Sequence, residues 1–129
     1  VLTYSSVNAF HWLDRTGQKE ILNLLAAEFL PLDLIPNVRR LLGLLQPSRL
    51  IWVSYDLWPN LVWEAHRQEI PQSLVSGIVH ASSLRTVSFA GRSLFRTLYK
   101  CLEHILTVSE ADRQRVLSAF PEHHGRHTL

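Results

Sequence analysis

Four consecutive apolar residues, Leu50-Ile51-Trp52-Val53, constrain the fold more than any other stretch of the chain. A strand with one wet face alternates apolar and polar side chains, so an unbroken run predicts a strand covered on both faces, the habit of parallel sheets. Parallel neighbours need crossover connections of about a dozen residues or more, usually a helix. The flanking sequence supplies them. Leu34, Val38, Leu41, Leu42 and Leu45 fall on one helical face with Arg39 and Arg40 turned away, and Pro47 stops that helix. Beyond the run, Pro59 suits a first helical turn, and Leu61, Val62 and Ala65 carry a helix toward Gln68. Pro71 ends it, and Gln72 to Ser76, with Leu74 and Val75, reads as a second buried strand before Gly77.

The alternation continues. A long helix is predicted from Ser83 to Glu103, with Leu84, Val87, Gly91, Leu94, Leu98 and Leu102 on one stripe. His104 to Val108 reads as a last strand, and Ser109-Glu110-Ala111-Asp112 opens a helix that fades at Phe120-Pro121. Toward the front, Val1 to Tyr4 is a short strand, a polar loop follows, and Lys19 to Glu28 carries Ile21, Leu22, Leu24, Leu25 and Ala26 at near-helical spacing. The expectation is a doubly wound α/β domain with a parallel sheet over residues 1–120, then a polar tail at 121–129, disordered from Glu122 onward. With 129 residues, 47% of them hydrophobic, there is material for one core and not two. The absence of methionine and a strand at the first residue suggest a chain cut short at its start.

Composition excludes several classes. No run of about 18 uncharged apolar residues occurs to span a bilayer. A net charge of +2 is far below the dense basic loading of a nucleic-acid binder. Cys101, the single cysteine, excludes an internal disulfide and is expected to be a buried core thiol. His123, His124 and His127 lack a partner at fixed spacing, so no metal site is expected. No Gly-rich phosphate loop or nucleophile elbow is present, and no cofactor is implied. Arg85, Arg92, Arg96 and Lys100 recur at intervals that set them on one helix face, either a solvated surface or a meeting place for anionic lipid or phosphate. Ser109 and Asp112 have the spacing of a capping box.

The most unusual string, Ser54-Tyr55-Asp56-Leu57-Trp58-Pro59-Asn60, follows the apolar strand and precedes a helix. Open α/β sheets bind ligands there, outside the carboxyl ends of their strands. A carboxylate, an indole and an amide beside helix N-terminal amides suit anions or sugar hydroxyls. The structural alternative is that Asp56 caps the helix, Trp58 packs and Pro59 starts the first turn.

Taken with Leu30-Pro31-Leu32-Asp33, Asn37-Val38-Arg39-Arg40-Leu41-Leu42 and Ser109-Glu110-Ala111-Asp112, the Asp56-Leu57-Trp58-Pro59-Asn60 string resembles the N-terminal half of the 3-deoxy-D-manno-octulosonic acid (Kdo) transferases over residues 1 to about 120. The resemblance implies the Rossmann-like, acceptor-side half of a GT-B glycosyltransferase. Such enzymes add Kdo from CMP-Kdo to a lipid A precursor in lipopolysaccharide synthesis, at the cytoplasmic face of the bacterial inner membrane. It further implies that Ser54, Asp56, Trp58, Asn60 and Ser76 line the substrate side, and that the Arg85 to Lys100 stripe faces the anionic membrane or the acceptor's phosphates.

The sequence departs from the family pattern at two places. Ser54, Tyr55 and Asp56 stand where the family has Glu-Thr-Glu, and Ser76-Gly77-Ile78 stands where it has Asn-Ala-Arg. The family's catalytic glutamate precedes what aligns with Val1, and its donor site belongs mainly to a second domain. By this reading the chain alone is inactive, and if it has decayed, Ser54 and Ile78 are where activity went. The rival expectations are a non-catalytic α/β interaction domain derived from such an enzyme, and another GT-B glycosyltransferase with a different acceptor.

Overall fold

Strands and helices alternate through the computed structural model, which describes residues 1–16, 25–54, 56–78, 88–120 and 127–128. The chain divides into two compact units, Val1–Leu32 and Asp33–Leu129.

The first unit holds β1 (Leu2–Tyr4), α1 (Val7–Thr16) and β2 (Ala27–Phe29). β1 and β2 run parallel, with Tyr4 opposite Phe29 and their rings meeting edge to face at 4.7 Å between centroids. Two expectations fail here. The stretch after Tyr4 is a helix and not a polar loop, because the Ser6 hydroxyl accepts from the Asn8 N–H at 3.2 Å and starts a helix that its polar residues disguise. Of the helix expected over Lys19 to Glu28, residues 19–24 lie outside the described residues. Its end is β2, whose flanks bond to β1 through Leu2 N–H to Ala26 O and Leu30 N–H to Tyr4 O. Tertiary pairing overrides local helical spacing there.

The second unit is an α/β sheet of four parallel strands in the order β3 (Leu50–Val53), β4 (Gln72–Gly77), β5 (His104–Thr107), β6 (His127–Thr128). Its helices are α2 (Ile35–Leu45), α3 (Pro59–Arg67), α4 (Phe89–Lys100) and α5 (Glu110–Ala119). α2 ends as the sequence predicts: Gln46 turns left-handed, its N–H bonds to Leu42 O at 2.8 Å, and Pro47 forbids another turn. α4 starts at Phe89 with the Ser88 hydroxyl accepting from Gly91 N–H, and the predicted start at Ser83 to Val87 lies outside the described residues.

Val38, Leu42, Val62, Ala65, Leu74, Leu98, Ile105 and Val116 build the core, closed at one end by Tyr99 stacked on Phe120 at 4.6 Å. Of the buried polar residues, Gln72 is the most enclosed. Gln72 accepts from the Trp52 indole N–H at 3.0 Å and donates to Val62 O at 3.0 Å, so both ends of its amide are satisfied.

Three further expectations need correction. β3 is the end strand of its sheet, and only Trp52 is buried, while Ile51 and Val53 are 63% and 55% exposed. Branched apolar side chains suit a strand whether or not a second layer covers them, so the run alone could not report coverage. Cys101 is half-buried, its S–H donating to Thr97 O, and burial raises its pKa above the ordinary thiol value. Within the tail expected to be disordered, His127–Thr128 pairs with β5; residues 121–126 and 129 lie outside the described residues.

Candidate functional site

Because β3, β4 and β5 are parallel, their carboxyl ends meet along one edge, where the chain turns into its helices. Two serines there hold left-handed backbones, Ser54 with φ 61° after β3 and Ser76 with φ 52° near the end of β4. Residues other than glycine adopt this region at a cost, and such positions cluster at binding sites. Ser54 is held by its N–H to Val75 O at 2.9 Å. Ser76 marks a break in register, since the pairing of β4 with β5 slips between Leu74 and Gly77. Gly77 sits so close to β5 that a Cβ would lie 3.4 Å from Leu106 O.

The Ser54 to Asn60 turn is held from a residue that the sequence reading assigned no role in it. Asp33 places one carboxylate oxygen 3.0 Å from the Asn60 N–H and the other 3.0 Å from the Leu61 N–H. Its backbone carbonyl accepts from the Asn60 side-chain amide at 2.6 Å. A carboxylate at a helix N-terminus satisfies orphan amides and complements the helix dipole. The cap of α3 is therefore Asp33 and not Asp56, which is exposed and bonds through its backbone N–H to Val53 O at 3.3 Å. The signal for Asp33 lay in Leu30-Pro31-Leu32-Asp33, but nothing local tells a reader that this aspartate reaches α3.

Trp58 immediately precedes α3 and is half-buried, and its indole Nε1 is shut off from water without a hydrogen-bond partner among the described residues. Tyr55 and Arg85 lie outside the described residues. Arg92, Arg96 and Lys100 are exposed along α4.

One turn into α3 lies a group that sequence reading missed. The buried Glu64 carboxylate accepts from Arg67 Nη2 and Nε, from Arg39 Nε of α2 at 3.1 Å and from Gln68 Nε2 at 3.2 Å. The Arg67 hydrogen bond, with those of Arg39 and Gln68, outweighs the upward push of burial and lowers its pKa to about 2. This ion cluster fixes α3 to α2, and with them the turn that Asp33 caps.

A family model described as 3-deoxy-D-manno-octulosonic-acid transferase matches residues 11–127. The chain belongs to the Kdo transferase family. The 3-deoxy-D-manno-octulosonic acid transferase of Bordetella pertussis is 33% identical over 91 residues, which is 70% of this chain and 21% of that protein. The chain thus spans about a fifth of the length of the Kdo transferase it matches. Among the described residues of this Kdo transferase-family chain, no helix is long and apolar enough to cross a membrane.

Proposed function

We propose that this chain forms the acceptor-side part of an enzyme that transfers Kdo from CMP-Kdo to a lipid A precursor in lipopolysaccharide synthesis. The observation that carries the reading is the Ser54 to Asn60 turn at the carboxyl edge of a parallel sheet, in a chain of the Kdo transferase family. Ligands of open α/β sheets bind at that edge. In this reading Asp56, exposed at the turn, accepts hydrogen bonds from sugar hydroxyls, and Ser54 and Ser76 line the crevice beside it. Arg92, Arg96 and Lys100, with Arg85 expected on the same stripe, face acceptor phosphates or the anionic cytoplasmic leaflet of the inner membrane. Each basic residue near such a surface contributes on the order of 1 kcal/mol. The donor and the catalytic carboxylate belong to parts of the enzyme beyond this segment.

The test is transfer by the intact protein carrying this segment, given CMP-Kdo and a lipid A precursor. Kdo-modified product is expected, reduced about tenfold or more by Asp56→Ala, since a lost contact to a sugar hydroxyl from a charged group is worth about 1.5–3 kcal/mol. Arg92→Glu is expected to weaken attachment to anionic vesicles. A folded protein that makes no product and binds neither substrate would overturn the reading in favour of an interaction domain, which Ser54 and Ile78 in place of the family's glutamate and arginine would then explain.

A further inference from the structure

Holding α3 to α2 takes one nitrogen of Arg39, the Nε that donates to Glu64 at 3.1 Å. Arg67 gives Nε and Nη2 to the same carboxylate. Among the described residues neither arginine meets another acceptor, so both terminal nitrogens of Arg39 and Nη1 of Arg67 remain unspent. Glu64 is buried while both arginine side chains are more than half exposed, so the guanidiniums are tethered from within and present their outer edges to water. They stand side by side, because Arg39 Nε and Arg67 Nη2 donate to the same oxygen, Oε1. The charges do not balance. Two permanent cations share one carboxylate, which its low pKa keeps ionised through the physiological range, and no second acid among the described residues pairs with either. One turn beyond Arg39 on α2, a Cβ at Gly43 would meet nothing within 4 Å, so that flank is open.

We infer that Arg39 and Arg67, held side by side by Glu64, form a binding site for a phosphate group at the junction of α2 and α3. Guanidinium forks match phosphate oxygens two at a time, and the Nη pair of Arg39 is such a fork with nothing yet in it. A phosphate monoester carries about −1.5 to −2 at neutral pH and has three oxygens to share between two arginines, whereas a carboxylate brings less charge and only two. Fixing both long side chains before the ligand arrives removes part of the ordering cost from the binding step. The site lies along α3 from the Ser54 to Asn60 turn, roughly 12 Å from Pro59 to Arg67, and does not rest on the acceptor-side reading. A lipid headgroup and a soluble phosphate present the same chemistry to it.

The test uses the intact protein carrying this segment, with inorganic phosphate as the probe and sodium chloride at equal ionic strength as the reference. Phosphate is expected to move the side-chain Nε–H resonances of Arg39 and Arg67, and chloride is not. Arg39→Lys keeps the charge and a donor for Glu64 but loses the fork, so phosphate affinity is expected to fall about tenfold, the scale of one charge-assisted hydrogen bond, with the unfolding midpoint nearly unchanged. Arg67→Lys gives the same reading from the other arm should Arg39→Lys loosen the fold. Arg40→Lys makes the same exchange at a neighbour that Glu64 does not hold, and affinity is expected to stay as in the wild type. Phosphatidylcholine vesicles containing phosphatidic acid, set against phosphatidylcholine alone, separate the sources. Capture that Arg39→Lys weakens assigns the site to a lipid headgroup, and binding of free phosphate alone assigns it to a soluble ligand. Resonances that move equally with chloride would mean only screening of surface charge. Lysine variants that bind phosphate as tightly as the wild type would mean that the pair serves the fold alone, and an equal loss in Arg40→Lys would mean a diffuse basic surface; any of these three results overturns the inference.

Discussion

Two helices of the second unit begin in opposite ways. α5 carries its own start: the Ser109 hydroxyl accepts from the Asp112 N–H at 3.1 Å and donates to the Asp112 carboxylate at 2.6 Å. Its ion pairs, Arg113 with Glu110 and Arg115 with Asp112, close within one turn. α3 depends on distant chain: Asp33, 27 residues before Asn60, caps its first turn, and Arg39, 25 residues before Glu64, ties its middle. A helix that caps itself can form before its neighbours arrive, whereas α3 acquires its N-terminal partners only when the chain from Asp33 onward has folded around it. The helix that follows the candidate binding turn is thus the one whose start is fixed by tertiary structure.

The sharpest way to break this contrast is Asp33→Ala. It strands two backbone donors together and is expected to cost about 2 kcal/mol in urea unfolding. It should also disturb the Trp58 turn, read as a change in tryptophan fluorescence. Ser109→Ala removes one acceptor from a cap with no distant partner, so about 1 kcal/mol is expected, without change at the turn. Equal losses from the two variants would erase the distinction.

The smallest effect is Glu64→Gln. Arg39 and Arg67 are 57% and 63% exposed and stay solvated when the charge is lost, so under about 1 kcal/mol is expected at neutral pH. Acid sharpens this test. The folded-state pKa of Glu64 lies near 2, below its ordinary 4.5, so its carboxylate stabilises the fold fully above pH 4.5. That contribution fades as pH falls from 4.5 toward 2. The stability gap between wild type and Glu64→Gln should close across that window. A gap that persists at pH 2 would show that Glu64 acts through packing and not through charge.

The same contrast sets what the sequence could reveal. The Ser109 cap, the Pro47 stop and the strands around Leu74 and Ile105 are legible because each signal is local or lies in a run of apolar residues. α1 was hidden by Ser5, Ser6 and Asn8, which read as loop, although Ser6 marks the helix start. β2 was hidden inside a helical spacing that its pairing with β1 overrides. At the candidate site the position of the turn was legible from strand, proline and helix in order. The identity of its cap was not, since an aspartate 27 residues away gives no periodic sign, and Asp56 was the nearer carboxylate. The Glu64 cluster was equally silent, its arginines reading as ordinary surface charge.

The amide of Gln72 has a handedness that fixes its chemistry. Its oxygen end faces an indole and its nitrogen end faces a carbonyl, so the side chain works as a connector with unlike terminals between β3 and the helix behind it. Glutamate, of nearly the same shape, presents two like terminals when ionised, and a carboxylate opposite the Val62 oxygen would repel where the amide attracts. Methionine would fill the space and leave both partners stranded. At this position a buried polar residue is no compromise with the core; glutamine bonds to both neighbours at any pH, where glutamate would do so only when protonated.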